Sequence, residues 1–158
     1  MSASTDDILA QELGKIGELG GRFGALFTST DSKAAGEAAS LGAQFAAQFL
    51  PTESHTEKLD LKVAPEKALK LAFSVLARLG EVQADDNKTL YPFLKAVVHS
   101  GFVNMNPAVV YVEILEGDST SCEVTITAAA KEGLIKQHTA GKAAQRVASM
   151  LRGIVEAG

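Results

Sequence analysis

The chain has 158 residues, of which 46% are hydrophobic, 22% charged and 6% aromatic, with a formal net charge of −4. This is the composition of a packed globular protein, which excludes a wholly disordered chain, and its acidity excludes a general binder of phosphate backbones. The single cysteine, Cys122, excludes an internal disulfide.

The first residues, MSASTDDILAQ, lack the basic and apolar regions of a secretory signal. No apolar run approaches the roughly 18 residues of a membrane span. Together these predict a cytoplasmic protein with no transmembrane segment. The first element runs from about Asp6 to Phe27. Leu9, Leu13, Ile16, Gly20, Phe23 and Phe27 recur at alternating spacings of four and three, as on one face of an amphipathic helix. Ser4 and Asp7 resemble a capping box, and Asp6 and Asp7 lie at the favourable end of the helix dipole. Gly14, Gly17, Gly20, Gly21 and Gly24 oppose helix formation by up to about 1 kcal/mol each. They do not follow a strand or precede Lys-Ser or Lys-Thr, so they do not form a phosphate loop. They predict a helix that needs a closely approaching partner.

Asp31 or Ser32 can cap a second helix, from about Lys33 to Leu50, with Ala34, Ala38, Leu41, Phe45 and Phe49 as its apolar face. Pro51 ends it. Residues 1–50 therefore read as a two-helix arm. It carries six acids against three bases (Lys15, Arg22, Lys33). Residues 51–57, PTESHTE, read as a polar linker.

A second unit spans residues 58–158. KLDLKV at 58–63 alternates as a half-buried strand. Pro65 opens a helix with Leu69, Ala72, Phe73, Leu76 and Leu79 on one stripe, and Gly80 stops it. Residues 81–128 read as a meander, which starts with the short Glu81–Ala84, and Asp85–Lys88 is a turn. Residues 89–103 fit a strand with Leu94, Ala96, Val98, Ser100 and Phe102 on one face, or a short helix from Pro92. NMNP at 104–107 turns the chain. Ala108–Glu116 reads as a central strand, and Cys122, Val124, Ile126 and Ala128 alternate along another. The last helix runs from about Thr139 to Val155, with Ala140, Ala144, Val147, Leu151 and Ile154 on one stripe.

The expected fold is α+β. An antiparallel meander sheet carries one crossover helix and a long C-terminal helix packed on it (β-α-β-β-β-β-α), preceded by the two-helix arm. This order, with the run from Ala108 to Ala128 followed by the final helix, resembles the helix-grip folds, which include the START-like domains. The resemblance is to element order and carries no functional residue. It implies an apolar ligand held between sheet and helix, an enzyme, or a protein that acts through contacts.

Candidate chemistry is sparse. His99, Cys122 and His138 lack the close pairing of zinc ligands, and Cys122 alternates with inward positions, as a structural thiol does. Asp85 and Asp86 begin a turn. No metal, cofactor or catalytic residue is expected, and the chain reads as non-enzymatic. Lys131, Lys136, His138, Lys142, Arg146 and Arg152 form a basic stretch on which the acidic arm could pack. Two functions follow. In the first, the arm drives homo-oligomer assembly through Leu9, Leu13, Ile16, Phe23, Phe27, Leu41, Phe45 and Phe49. In the second, a small apolar ligand sits between the sheet and the last helix, touched by Tyr91, His99, Tyr111, Ala144 and Leu151.

Overall fold

The computed structural model describes residues 4–28, 31–83, 93–100, 106–115, 117–132 and 137–158. Ser4 and Asp7 do form a capping box. The Asp7 amide donates to Ser4 Oγ (3.1 Å) and the Ser4 amide to Asp7 Oδ2 (3.2 Å). They start helix α1, Thr5–Thr28. Asp31 caps α2, Ser32–Gln48, by accepting from the Lys33 and Ala34 amides.

The two helices form a hairpin whose close approach explains the glycines. A Cβ on Gly17 would lie 2.6 Å from Ala43 Cβ, and one on Gly21 would lie 2.6 Å from Ala39 Cβ. The face of α2 that meets α1 is therefore its small-residue face, including Gly36 and Ala47, both buried. The sequence had predicted the other face for packing. Leu41, Phe45 and Phe49 point to solvent instead, because large side chains would hold the two backbones apart.

The sheet has five antiparallel strands in the order β1-β5-β4-β3-β2. They are β1 Thr52–Leu61, β2 Gly80–Gln83, β3 Phe93–Ser100, β4 Asn106–Ile114 and β5 Cys122–Lys131. Helix α3, Pro65–Leu79, crosses between β1 and β2, with Pro65 in its first turn. Helix α4, Thr139–Ala157, follows β5. This is the α+β helix-grip arrangement expected from the element order. The stretch from residue 93 to 100 is a strand, and Phe102 and Asp85–Lys88 lie outside the described residues.

One boundary differs. Residues 52–57 are not a linker but the first half of β1, paired in register with β5 from Thr52↔Lys131 to Glu57↔Ile126. As an edge strand it bonds on one side only and need bury little, so TESHTE carries no apolar alternation to announce it.

Strand alternation divides the sheet into two faces. Ala108, Val110, Val112 and Ile114 of β4 join Val124, Ile126 and Ala128 of β5 in the main core, under α3 and α4. Val97 and Val109 face the other way and are covered by Ile8 and Leu9 of α1. The arm is thus the third layer of the fold, crossing the face opposite α4.

Candidate functional site

Among the described residues, the sheet side of α4 is packed against the main core. Ala140, Ala143, Ala144, Val147, Ala148 and Leu151 are all buried on the sheet side of the helix, and Ala144 and Leu151 have no solvent exposure at all. They share the main core with Val, Leu and Ile side chains of the strands. An open cleft of ≈ 250 Å³ lies at the far end of α4, lined by Asp60, Leu61, Lys62, Arg152, Val155 and Glu156. Its charges of both signs select no one ligand class.

Tyr111 and His99 are on the opposite face of the sheet from Ala144 and Leu151. Tyr111 Oη shares a 2.7 Å hydrogen bond with Thr5 Oγ1, and the Lys95 ammonium lies 5.6 Å from its ring centroid. His99 Nε2 lies 3.4 Å from Glu12 Oε2, whose carboxylate also meets Lys15 Nζ at 2.6 Å. That short hydrogen bond to Glu12 holds the Lys15 ammonium above its usual pKa. The structure therefore does not bring the sequence-derived ligand residues together, and Tyr91 lies outside the described residues. Cys122 is in the main core and is likewise separated from His99 by the sheet. Burial pushes its thiol pKa up, which disfavours the thiolate a nucleophile needs. Among the described residues, no three His, Cys, Asp or Glu side chains are grouped as metal ligands.

Two adjacent charged residues at the end of β5 tie the layers together; the sequence placed Lys131 in the basic stretch offered to the acidic arm, and missed the role of Glu132. The Lys131 side chain is only 5% exposed. Its Nζ lies 2.9 Å from Asp6 Oδ1 and donates to the Leu50 carbonyl at 3.2 Å. The Thr52 hydroxyl donates to the same Asp6 oxygen at 2.6 Å. The Thr52 bond, then Lys131, hold the Asp6 carboxyl below its ordinary pKa. Lys131 is thus where the basic stretch meets the acidic arm. Lys142, Arg146 and Arg152 are exposed on α4, across the sheet from α1.

Glu132, 2% exposed, does the work of a helix cap. Its carboxylate accepts from the Gln137 amide (2.7 Å) and the Thr139 amide (2.7 Å). His138, at the N-cap of α4, has a left-handed backbone (φ 53°) and makes no side-chain cap bond. Burial alone would raise the Glu132 pKa. The Gln137 and Thr139 donors and nearby His138 outweigh it and hold the carboxyl below its usual value.

The assembly residues divide three ways. Leu9 is fully buried beneath α1, and Leu13 and Ile16 are half-buried. The side chains of Phe23 and Phe27 lie outside the described residues. Leu41, Phe45 and Phe49 form one line on the outside of α2, exposed by 67%, 65% and 73%. The two rings stack edge to face with centroids 5.1 Å apart. This line is the candidate functional surface.

No family model matches the sequence, and no curated protein matches it. Among solved structures, the chain is similar to a START superfamily protein from Mycobacterium smegmatis, at 11% identity, covering 65% of this chain and 97% of that one, with a TM-score of 0.41. It is also similar to Ara h 8.0201, at 11% identity, over 68% and 100% of the two chains and a TM-score of 0.41. A third is truncated norcoclaurine synthase from Thalictrum flavum, at 8% identity, over 67% and 94% and a TM-score of 0.38. The likeness is one of fold. Among the described residues, no helix is long and apolar enough to cross a membrane.

Proposed function

We propose that this chain is a non-enzymatic interaction module that associates with itself through the outer face of α2. The observation that carries the reading is the exposure of Leu41, Phe45 and Phe49 on one line of a helix whose other face is already used by α1. With about 200 Å² for a Phe side chain, each ring leaves about 130–150 Å² in water. With Leu41 and the alanines between, the stripe offers on the order of 450 Å² per copy. Two copies would bury about 900 Å² in total, below the roughly 1,200–2,000 Å² of stable specific interfaces and in the range of weak, transient contacts. The expected complex is a reversible, concentration-dependent dimer. A cytoplasmic setting is compatible with the unpaired, buried thiol of Cys122.

Sedimentation velocity of the full chain over a wide concentration range tests this. Phe45→Ser/Phe49→Ser should stay monomeric where the native sequence self-associates, with unchanged helicity. A native chain that sediments as a monomer throughout would remove the reading. The alternative is a small apolar ligand between the sheet and α4, where Ala144 and Leu151 are buried. Native mass spectrometry would reveal it as a reproducible added mass per chain.

A further inference from the structure

The stripe on α2 carries more information than exposed area. Read along the helix it is Ala34, Ala38, Leu41, Gly42, Phe45 and Phe49, every one exposed. Its first half is small and its second half large. When a second copy of the helix is laid against it in the opposite direction, large residues meet small ones throughout. Phe49 faces Ala34, Phe45 faces Ala38, and Leu41 faces Gly42. A parallel arrangement instead sets Phe against Phe and leaves Ala against Ala.

We infer that two copies pair through antiparallel α2 helices about a two-fold axis between Leu41 and Gly42. The inference rests on the self-association proposed above and supplies its geometry. Two further observations support it. A Cβ on Gly42 would meet nothing within 4 Å, as is also true at Gly20 and Gly153, so neither the α1–α2 hairpin nor the sheet requires glycine there. Glycine in the middle of an exposed helix is unfavourable, and close approach of a partner helix gives it a purpose. The antiparallel arrangement sets Lys33, the one cation of α2, beside the partner helix's C-terminus, where a positive charge is favoured. It also makes the contact self-complementary and closed, so it stops at a dimer.

A lipid surface fits the same stripe less well. The bases on α1 are already paired, Lys15 with Glu12 (2.6 Å) and Arg22 with Glu18 (2.5 Å), which leaves little to attract an anionic membrane.

The experiment compares full-length variants by sedimentation, with circular dichroism to confirm that each is folded. Ala38→Phe adds apolar surface at an exposed position, so a non-specific sticky patch would associate more tightly. In the antiparallel register it drives Phe against Phe, and the dimer should weaken about tenfold or more. Phe45→Ala should also weaken it. The double variant Ala38→Phe/Phe45→Ala exchanges the large and small partners and should return within a few-fold of the native dimer.

Mixed cross-linking reads the register directly. In a Cys122→Ala background, a short bis-maleimide should join Ala38→Cys to Phe45→Cys in preference to joining either variant to itself. A native dimer that tightens with Ala38→Phe, or that cross-links 38 to 38, overturns the antiparallel register while leaving self-association intact. A native chain that is monomeric overturns both. If that monomer binds phosphatidylcholine vesicles and loses binding with Phe45→Ser, the stripe belongs to lipid.

Discussion

Replacing Glu132 should destabilise the protein far more than an ordinary substitution at an exposed site would. In Glu132→Ala the amides of Gln137 and Thr139 lose their acceptor beside a buried helix end. A buried donor left unsatisfied costs about 1–3 kcal/mol. With partial rescue by water, the expected loss is about 2–4 kcal/mol, a large share of the roughly 5–15 kcal/mol that holds a domain folded. Glu132→Gln keeps one carbonyl acceptor and should lose about half as much. Urea unfolding followed by far-ultraviolet circular dichroism measures both, since the chain has no Trp. The pH dependence has a definite sign. The folded-state pKa of Glu132 is depressed, so its stabilisation is complete above the unfolded-state value and disappears as pH falls through the lower folded-state value. The native chain should therefore lose stability relative to Glu132→Gln as pH drops below about 4.5. An alanine variant within about 0.5 kcal/mol of native would show that α4 does not depend on this cap, since that is the range of featureless surface changes.

Gly21→Leu should break the arm, because even its Cβ would lie 2.5 Å from the Ala35 carbonyl oxygen; Gly20→Ala meets nothing within 4 Å and should stabilise by up to about 1 kcal/mol. Limited proteolysis between residues 5 and 48, with thermal melts, distinguishes the two. Tyr111→Phe removes the bond to Thr5 and should cost about 1 kcal/mol. Amide exchange of α1 should rise in that variant while exchange of α4 stays unchanged. Cys122 should react slowly with a thiol reagent at pH 8 until the chain is unfolded, because burial raises its pKa and limits access. Fast labelling of the native protein would refute its placement in the core.

Local signals in the sequence carried the helices, most of the strands and their order. Ser4 and Asp31 cap where capping residues were expected, Pro65 opens α3, and the alternation from Ala108 to Ala128 lays out two central strands, because these preferences act over a few residues. The alternation also contained the separation of Tyr111 from Ala144. Once Val110 and Val112 point inward, Tyr111 must point outward, and the ligand grouping overlooked that parity.

Other features depended on what lies across the fold. TESHTE became a strand because β5 supplies its hydrogen-bond partners. The packed face of α2 was decided by the glycines of α1, which admit only small residues, so its larger side chains were left outside. Lys131 and Glu132 became buried ties because α1 and α4 converge on the end of β5 from opposite faces. Such outcomes rest on steric fit and desolvation between residues distant in sequence, and hydrophobic periodicity along the chain does not encode which of two apolar faces another helix can approach.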